Sequence, residues 1–431
     1  MRHLPSYRAP AQATSLDHVA VIGLGYIGLP TSVSLAAGGL TVTGVDTNAA
    51  IVERVNCGEA PFEEPDLAAA LGRAVSTGRL RAATSVPSAD AFIIAVPTPF
   101  TGDKKPDLDF VMAAAESVAC VLRGGEVVVV ESTVPPGTTE CVSRLIAASR
   151  PDLRLPHEDA VLHDGQPDPR PLVHVAHCPE RVLPGRILIE IAANDRVIGG
   201  LTPACSEKAA RLYRTFCHGE IHLADATSAE MVKLAENAYR DVNIAFANEL
   251  ANICRELDLD VWDIISMANR HPRVGILHPG IGVGGHCIAV DPWFIIDAAP
   301  EQARMLRVAR EVNDAMPAEV AAQVVSAAQR QHARAVGCLG LSFKANVGDV
   351  RNSPAVQIVA TVAAALPDAE ILAAEPFQEK LPSPLDELPN VRLVSAHEAV
   401  TAADLVVRLV DHRAFDELGG PARAGHISSR V

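Results

Sequence analysis

Gly23, Gly25 and Gly28 stand in G-x-G-x-x-G spacing directly after the apolar run HVAVI. Lacking side chains, they allow a tight turn, close backbone approach to a pyrophosphate, and close packing of the helix that follows. Asp46 ends the next apolar run, LTVTGVD, where a carboxylate accepts hydrogen bonds from a ribose hydroxyl and repels a 2′-phosphate. Glycine spacing alone also occurs in turns that bind nothing, but with Asp46 it predicts a dinucleotide site for NAD in preference to NADP. Further on, Lys233, Asn237 and Arg240 recur at i, i+4 and i+7, one face of a helix. Such stripes are commonly solvated surface, yet an ammonium and an amide on a rigid helix are also what a developing alkoxide needs during hydride transfer. Cys287 lies in GVGGHC, four residues before Asp291. Glycines there permit close approach to a ligand, and a thiolate can attack a carbonyl. The other eight cysteines are expected as small buried hydrophobes. His271, His278, His286 and Cys287 follow no zinc-ligand spacing, so no metal is expected.

These residues need rigid elements beneath them. HVAVI, LTVTGVD, AFIIAVP and EVVVVEST read as buried strands alternating with helices, which predicts a parallel sheet covered on both faces. The stretch from Pro151 to His174, rich in Pro, Asp and His, reads as an irregular excursion. From Asp225 to Asp260 the sequence predicts one long helix, because no Gly or Pro interrupts it and Thr227 with Glu230 has capping-box spacing. GILHPGIGVGGHC must be a loop, or a loop leading into a helix. A second helical stretch ends near Arg334, and AVGCLGLSF, AEILAAEP and ADLVVRLVD then predict a second α/β sheet.

The whole chain has 431 residues, with 37 Lys plus Arg against 52 Asp plus Glu and a net charge of −15. That length predicts two or three domains, and the acidic balance without a basic block argues against a nucleic-acid partner. Nine cysteines, an odd number with no C-x-x-C pair, suit reduced thiols in the cytoplasm. No stretch has the uninterrupted apolar length of a membrane span or the core of a signal peptide, so no membrane association is expected.

GLGYIG, VPTPF, ESTVPPGTTE, CPERVLPG, KLAENAYRDVNIAFANEL, ANRHPRVGIL, GVGGHCIAVDPWF and GLSFKANVGDVRNSP together make the chain resemble the UDP-glucose/GDP-mannose dehydrogenase family over almost its full length. NAYRDVNIAFANEL, NRHPR and GGHCIAVDPWF look most like its branch acting on UDP-N-acetyl-hexosamines, with His286 where the UDP-glucose branch usually has Ser. The resemblance implies a flexible tail over 1–16, an NAD-binding Rossmann-like domain over 17–224, a central helical dimerisation and catalytic domain over 225–334, and a UDP-binding Rossmann-like domain over 335–431. It implies that Tyr26, Ile27, Asp46, Thr98 and Thr133 touch NAD, with Arg351 reaching it from the C-terminal domain. It further implies that Arg181, Val182, Asn237, Arg240, His271, Arg273, Gly284, Phe343 and Lys344 hold the UDP-sugar. Gly275 and Ile281 depart from the branch, which tends to have Asn and Pro there.

The reaction implied is oxidation of the C6 alcohol of UDP-N-acetyl-D-mannosamine to the uronate, with two NAD reduced, for surface polysaccharide synthesis. Cys287 would add to the intermediate aldehyde and pass through a thiohemiacetal to a thioester. Lys233 and Asn237 would stabilise the oxyanions, Asp291 would orient a water or the lysine, and Glu180 would serve as base for hydrolysis unless it only pairs with Arg181 or a neighbour. Lys233 and His286 are the candidates for holding the thiol as thiolate. UDP-N-acetylglucosamine and UDP-glucose are alternative substrates. A two-electron β-hydroxyacid dehydrogenase shares the Lys and Asn four apart but does not explain Cys287 or the third domain. A non-catalytic nucleotide-sugar binder would be expected to lack Lys233, Cys287 or Asp291. The long helix, carrying Ile244, Phe246, Leu250 and Ile253, predicts a homodimer.

Overall fold

A computed structural model describes residues 16–158, 166–183, 185–418 and 427–428. The expected tail lies outside the described residues except for Leu16, as does the 159–165 part of the excursion. The chain divides into two compact units, Met1–Ala235 and Glu236–Val431.

The first unit is built on eight strands: β1 (His18–Ile22), β2 (Thr41–Val45), β3 (Leu80–Ala83), β4 (Ala91–Ile94), β5 (Val127–Val130), β6 (His174–His177), β7 (Arg196–Gly200) and β8 (Ile221–Asp225). Their order is β3-β2-β1-β4-β5-β6-β7-β8, parallel throughout except where β7 runs antiparallel to β6. All four valines of β5 are buried because both faces of the sheet are covered. Val127 and Val129 enter one apolar cluster with Val19, Val21 and Ile93, whereas Val128 and Val130 enter another with Ala20, Phe92 and Ile94. That is the two-residue period of a strand with a core on either side, each buried valine contributing roughly 1.5–3 kcal/mol.

In the second unit, β9 (Ala335–Leu339), β10 (Glu370–Ala374), β11 (Val391–Leu393), β12 (Leu405–Arg408) and β13 (Ile427–Ser428) form a parallel sheet of order β11-β10-β9-β12-β13. The helix Arg304–Gln331 shares its core, through Met316, Val320 and Val324. Among the described residues no helix is long and apolar enough to cross a membrane.

The long helix runs Ala226–Glu256, shorter at its end than expected. Asp258 takes a left-handed φ of 53°, and Leu259 N bonds back to Cys254 O, which stops the helix. Asp260 instead caps the next helix, Val261–Ala268, accepting from Trp262 N and Asp263 N. The capping box does not form either. Asp225 is the cap, accepting from Ser228 N, and Thr227 lies inside the helix. Glu230 is buried, and its carboxylate accepts from Gly137 N at 2.6 Å and from Thr139 N at 2.7 Å, serving the start of the helix Thr138–Ser149. Three cysteines also depart from expectation: Cys57, Cys120 and Cys141 are exposed, whereas Cys178, Cys205, Cys217, Cys254 and Cys338 are buried.

Candidate active site

The glycine turn leaves β1 where the strand order reverses between β1 and β4, the usual ligand crevice of an open α/β sheet. Gly23 has φ +98°, and a Cβ on it would stand 2.3 Å from Ala95 O. A Cβ on Gly28 would stand 1.9 Å from Gly23 O, so the helix Gly28–Ala37 starts only because that position has no side chain. Gly25 faces open space, as the middle glycine must if a pyrophosphate is to approach it. Asp46 follows β2 and is tied to the turn, its carboxylate accepting from Leu24 N at 3.0 Å and Asn48 N at 2.9 Å. Tyr26 stacks on Phe62 with ring centroids 4.3 Å apart, and Ile27 precedes the helix. Thr98 and Thr133 follow β4 and β5, on loops joined by Ser132, whose hydroxyl donates to Val96 O and accepts from Val96 N. Turn, acid and loop threonines therefore lie at the carboxyl ends of neighbouring strands, an arrangement that fits NAD.

Glu180, Arg181 and Val182 follow β6. Glu180 is buried; one oxygen accepts from Arg181 N at 2.6 Å and the other from Arg196 Nη2 at 3.1 Å. The expected alternative for Glu180, an ion pair, thus exists, but with the Arg196 side chain, while Arg181 supplies its backbone N–H. The Arg181 guanidinium donates to Asp195 O, and Val182 packs against the core. Sequence reasoning missed Arg196 and Glu131, a carboxylate placed directly after the four valines of β5. A charge at the end of a wholly buried strand was the available signal.

In the second unit, Asn237 Nδ2 donates to Asp291 Oδ2 at 2.5 Å, joining the long helix to the first residue of the helix Asp291–Ala298. Asp291 is buried, and its N–H bonds Cys287 O at 2.9 Å, so the cysteine's backbone is anchored to this carboxylate-bearing turn. Cys287 itself is exposed. The glycines before it rest on Phe343: a Cβ on Gly284 would stand 2.9 Å from Phe343 Cβ, and one on Gly285, at φ +83°, 2.9 Å from the ring. Phe343 N donates to Asp349 O, and the Asp349 carboxylate takes a two-pronged bond from Arg351. Burial first, then the Arg351 charge, lower the pKa of His286 against the pull of Asp349. That direction disfavours the imidazolium and weighs against His286 as the cation proposed for the thiol. Arg240, His271, Arg273 and Lys344 are exposed; His271 Nδ1 accepts from Arg273 N. Lys233 is half-buried on the Asn237 face of the long helix, one turn earlier.

Two contacts outside the predicted set hold this arrangement. Arg310 pairs with Asp241 at 2.6 Å, both fully buried, and Asn248 accepts from Gly280 N at the head of the glycine-rich loop.

The UDP-glucose/GDP-mannose dehydrogenase family matches in three consecutive parts: its NAD binding domain over residues 17–217, its central domain over 227–315 and its UDP binding domain over 337–428. The chain belongs to that family. It is an NAD-dependent UDP-sugar dehydrogenase. It is 53% identical over 400 residues to an NDP-N-acetyl-D-galactosaminuronic acid dehydrogenase of Ralstonia nicotianae, covering 93% of this chain and 92% of that one. It is 48% identical over 414 residues to a UDP-N-acetyl-D-mannosamine dehydrogenase of Escherichia coli, covering 94% and 96%. The structure of a UDP-D-ManNAc dehydrogenase from Pyrococcus horikoshii superposes with a TM-score of 0.82 at 34% identity, covering 96% of this chain and 99% of that one.

Proposed function

We propose that the protein oxidises the C6 alcohol of UDP-N-acetyl-D-mannosamine to the uronate through a thioester on Cys287. The observation that carries this reading is Cys287 anchored beside a buried Asp291 that is hydrogen-bonded to Asn237. NAD supplies a hydride acceptor for each of the two oxidations. Lys233 and Asn237 stabilise the C6 alkoxide while hydride leaves carbon, giving the aldehyde. The Cys287 thiolate then adds, forming the C–S bond, and the resulting alkoxide is held by the same donors until the second hydride leaves and a thioester remains. Glu180 takes a proton from the attacking water, the C–S bond breaks, and the thiolate is restored with the carboxylate product. Asp291 orients the water or the lysine through its bond to Asn237.

Tyr26, Ile27, Asp46, Thr98, Thr133 and Arg351 are assigned to NAD. Arg181, Val182, Asn237, Arg240, His271, Arg273, Gly284, Phe343 and Lys344 are assigned to the UDP-sugar. The three-domain division over 17–224, 225–334 and 335–431 belongs to the same reading. The NRHPR and GGHCIAVDPWF motifs and the Escherichia coli relative support the manno sugar. The Ralstonia relative favours a second reading, a galacto-configured N-acetyl sugar nucleotide. Assaying the purified protein with UDP-linked N-acetylmannosamine, N-acetylglucosamine and N-acetylgalactosamine decides it: the highest kcat/KM with the manno epimer, at two NADH per sugar, is expected. A higher value with either other epimer overturns the choice of sugar, and one NADH per sugar overturns the thioester route.

A homodimer through the long helix is part of this proposal. Tyr239, Phe246 and Ile253, spaced by seven, are 73%, 55% and 48% exposed, whereas Leu250 packs within the chain. A helix stripe of this kind is covered by a symmetry mate in a two-fold assembly. Light scattering at micromolar protein is expected to give the dimer mass, and a monomer would refute it.

A further inference from the structure

Beneath the loop that carries Glu180, one guanidinium faces two carboxylates. Arg196, on β7, is buried, with Nη2 3.1 Å from Glu180 Oε2 and Nη1 3.8 Å from Glu131 Oε1. Its second contact from Nη2 is to Ile191 O at 3.0 Å, and its plane lies over the rings of Tyr213 and Phe216. Glu131 accepts from Thr31 Oγ1 at 3.0 Å and from Tyr213 OH at 3.1 Å. The groups facing Glu131 are therefore Thr31 from the first helix, Tyr213 from the helix Pro203–Tyr213, Arg196 from β7, and Glu180 and Cys178 from the segment after β6.

A structural ion pair requires one acid for one guanidinium. The second, fully buried acid adds charge that nothing else neutralises, so it stays only if it holds a proton. We propose that Arg196 and Glu131 are positioning residues for Glu180, the guanidinium fixing the carboxylate and Glu131 setting how strongly it is held. This rests on the reading of Glu180 as the base of thioester hydrolysis. Burial first, then the Glu180 charge, push the Glu131 carboxyl well above the usual carboxylate range against the pull of Arg196, Thr31 and Tyr213. Burial likewise pushes the neighbouring Cys178 thiol up to about 12, so it stays neutral. With Glu131 protonated, Arg196 balances Glu180 alone. When Glu131 loses its proton at alkaline pH, the guanidinium is shared and Glu180 is held less firmly in place.

Rapid mixing with UDP-N-acetyl-D-mannosamine and NAD separates the steps: NADH absorbance reports the hydride transfers, and intact mass reports sugar bound to the enzyme. Glu180→Gln should give a burst of NADH followed by accumulation of the acyl-enzyme. Arg196→Lys should show the same accumulation, with hydrolysis slowed on the order of tenfold and the first hydride transfer and substrate KM unmoved. The wild-type hydrolytic rate should show an alkaline transition, and Glu131→Gln, nearly isosteric, should abolish it. If Glu180→Gln accumulates acyl-enzyme while Arg196→Lys hydrolyses at the wild-type rate, or while the Glu131→Gln profile superimposes on wild type, the positioning proposal falls and the reading of Glu180 stands. Equal slowing of all steps in Arg196→Lys would also overturn it, as a structural effect. No accumulation in Glu180→Gln overturns the base assignment, and the proposal with it.

Discussion

The two sheets solve one problem twice and then diverge. In each, a glycine with left-handed φ follows the first strand, Gly23 at +98° after β1 and Gly340 at +95° after β9. In each, a carboxylate stands directly after the neighbouring strand and accepts backbone N–H groups from the turn. Asp46 takes Leu24 N, and Glu375 takes Leu341 N at 2.7 Å and Ser342 N at 2.9 Å. The difference lies in what happens next. After Gly23 the helix begins within the turn, and Asp46 stays partly exposed. After Gly340 the chain runs as a loop until the helix Pro354–Ala365, and Glu375 is buried against the ring of His412. The acid that stays open at the turn of the first sheet, where we assign it to the ribose of NAD, has a counterpart in the second that is consumed as a structural anchor. The residues of that sheet that we assign to ligands, Phe343, Lys344 and Arg351, lie instead on the loop itself. A Rossmann-like sheet is thus not by itself a dinucleotide site; the exposure of one carboxylate separates the two.

The sharpest division of labour in the proposed mechanism puts the NAD binding domain on the first unit and the nucleophile on the second. Cys287→Ala should leave the Gly23 turn and Asp46 intact, so the first hydride transfer survives in slowed form. The second oxidation loses its tetrahedral adduct, and uronate formation should fall roughly a thousandfold or more, with aldehyde or its hydrate as residual product. Product analysis with NADH counting checks this; near wild-type uronate at two NADH per sugar would return Cys287 to the role of a plain thiol. A smaller effect tests the two acids directly. Asp46→Ala should raise the KM for NAD on the order of tenfold and shrink the preference over NADP, because ribose hydrogen bonds and the repulsion of a 2′-phosphate are both lost. Glu375→Gln should leave the KM for NAD where it is. Comparable NAD defects in both variants would erase the functional distinction between the sheets.

How legible this was differs along the same line. HVAVI, LTVTGVD, AFIIAVP and the later strand runs were readable because burial on both faces writes continuous apolar sequence, and G-x-G-x-x-G with Asp46 carries its geometry in its spacing. Cys287, Lys233, Asn237 and Asp291 stand out by residue type and spacing, but the Asn237–Asp291 bond crosses 54 positions and has no local signature. The antiparallel strand β7 was missed since periodicity does not encode direction. Glu230 was misassigned for a related reason: capping-box spacing is local, whereas the amides that claimed its carboxylate come from 91 and 93 residues away. The lowered pKa of His286 was not readable either, because it depends on burial and on Arg351, neither visible from GVGGHC.

The smallest expected effect concerns the anchor in the second sheet. His412 Nδ1 accepts from Asn346 N, so in the neutral ring Nε2 carries the proton and donates to Glu375 Oε2 at 3.2 Å. Burial opposes charge on Glu375, but the His412 bond and the Leu341 and Ser342 amides outweigh it and hold the carboxyl below the usual range. The folded state thus binds that proton more weakly than the unfolded chain. Its stabilisation is complete above the ordinary glutamate pKa of ~4.3 and is lost as pH falls through the lower folded value. Glu375→Gln keeps the size and one acceptor, so it should cost about 1 kcal/mol at pH 7. Both tryptophans, Trp262 and Trp293, lie in the second unit, so urea unfolding followed by their fluorescence reports on it selectively. At pH 7 the variant's midpoint should fall below wild type, the gap should close as pH drops below about 4, and Asp46→Asn should leave this transition in place. A gap of constant size down through acid pH would mean that the loop is anchored by shape rather than by the ionised carboxylate.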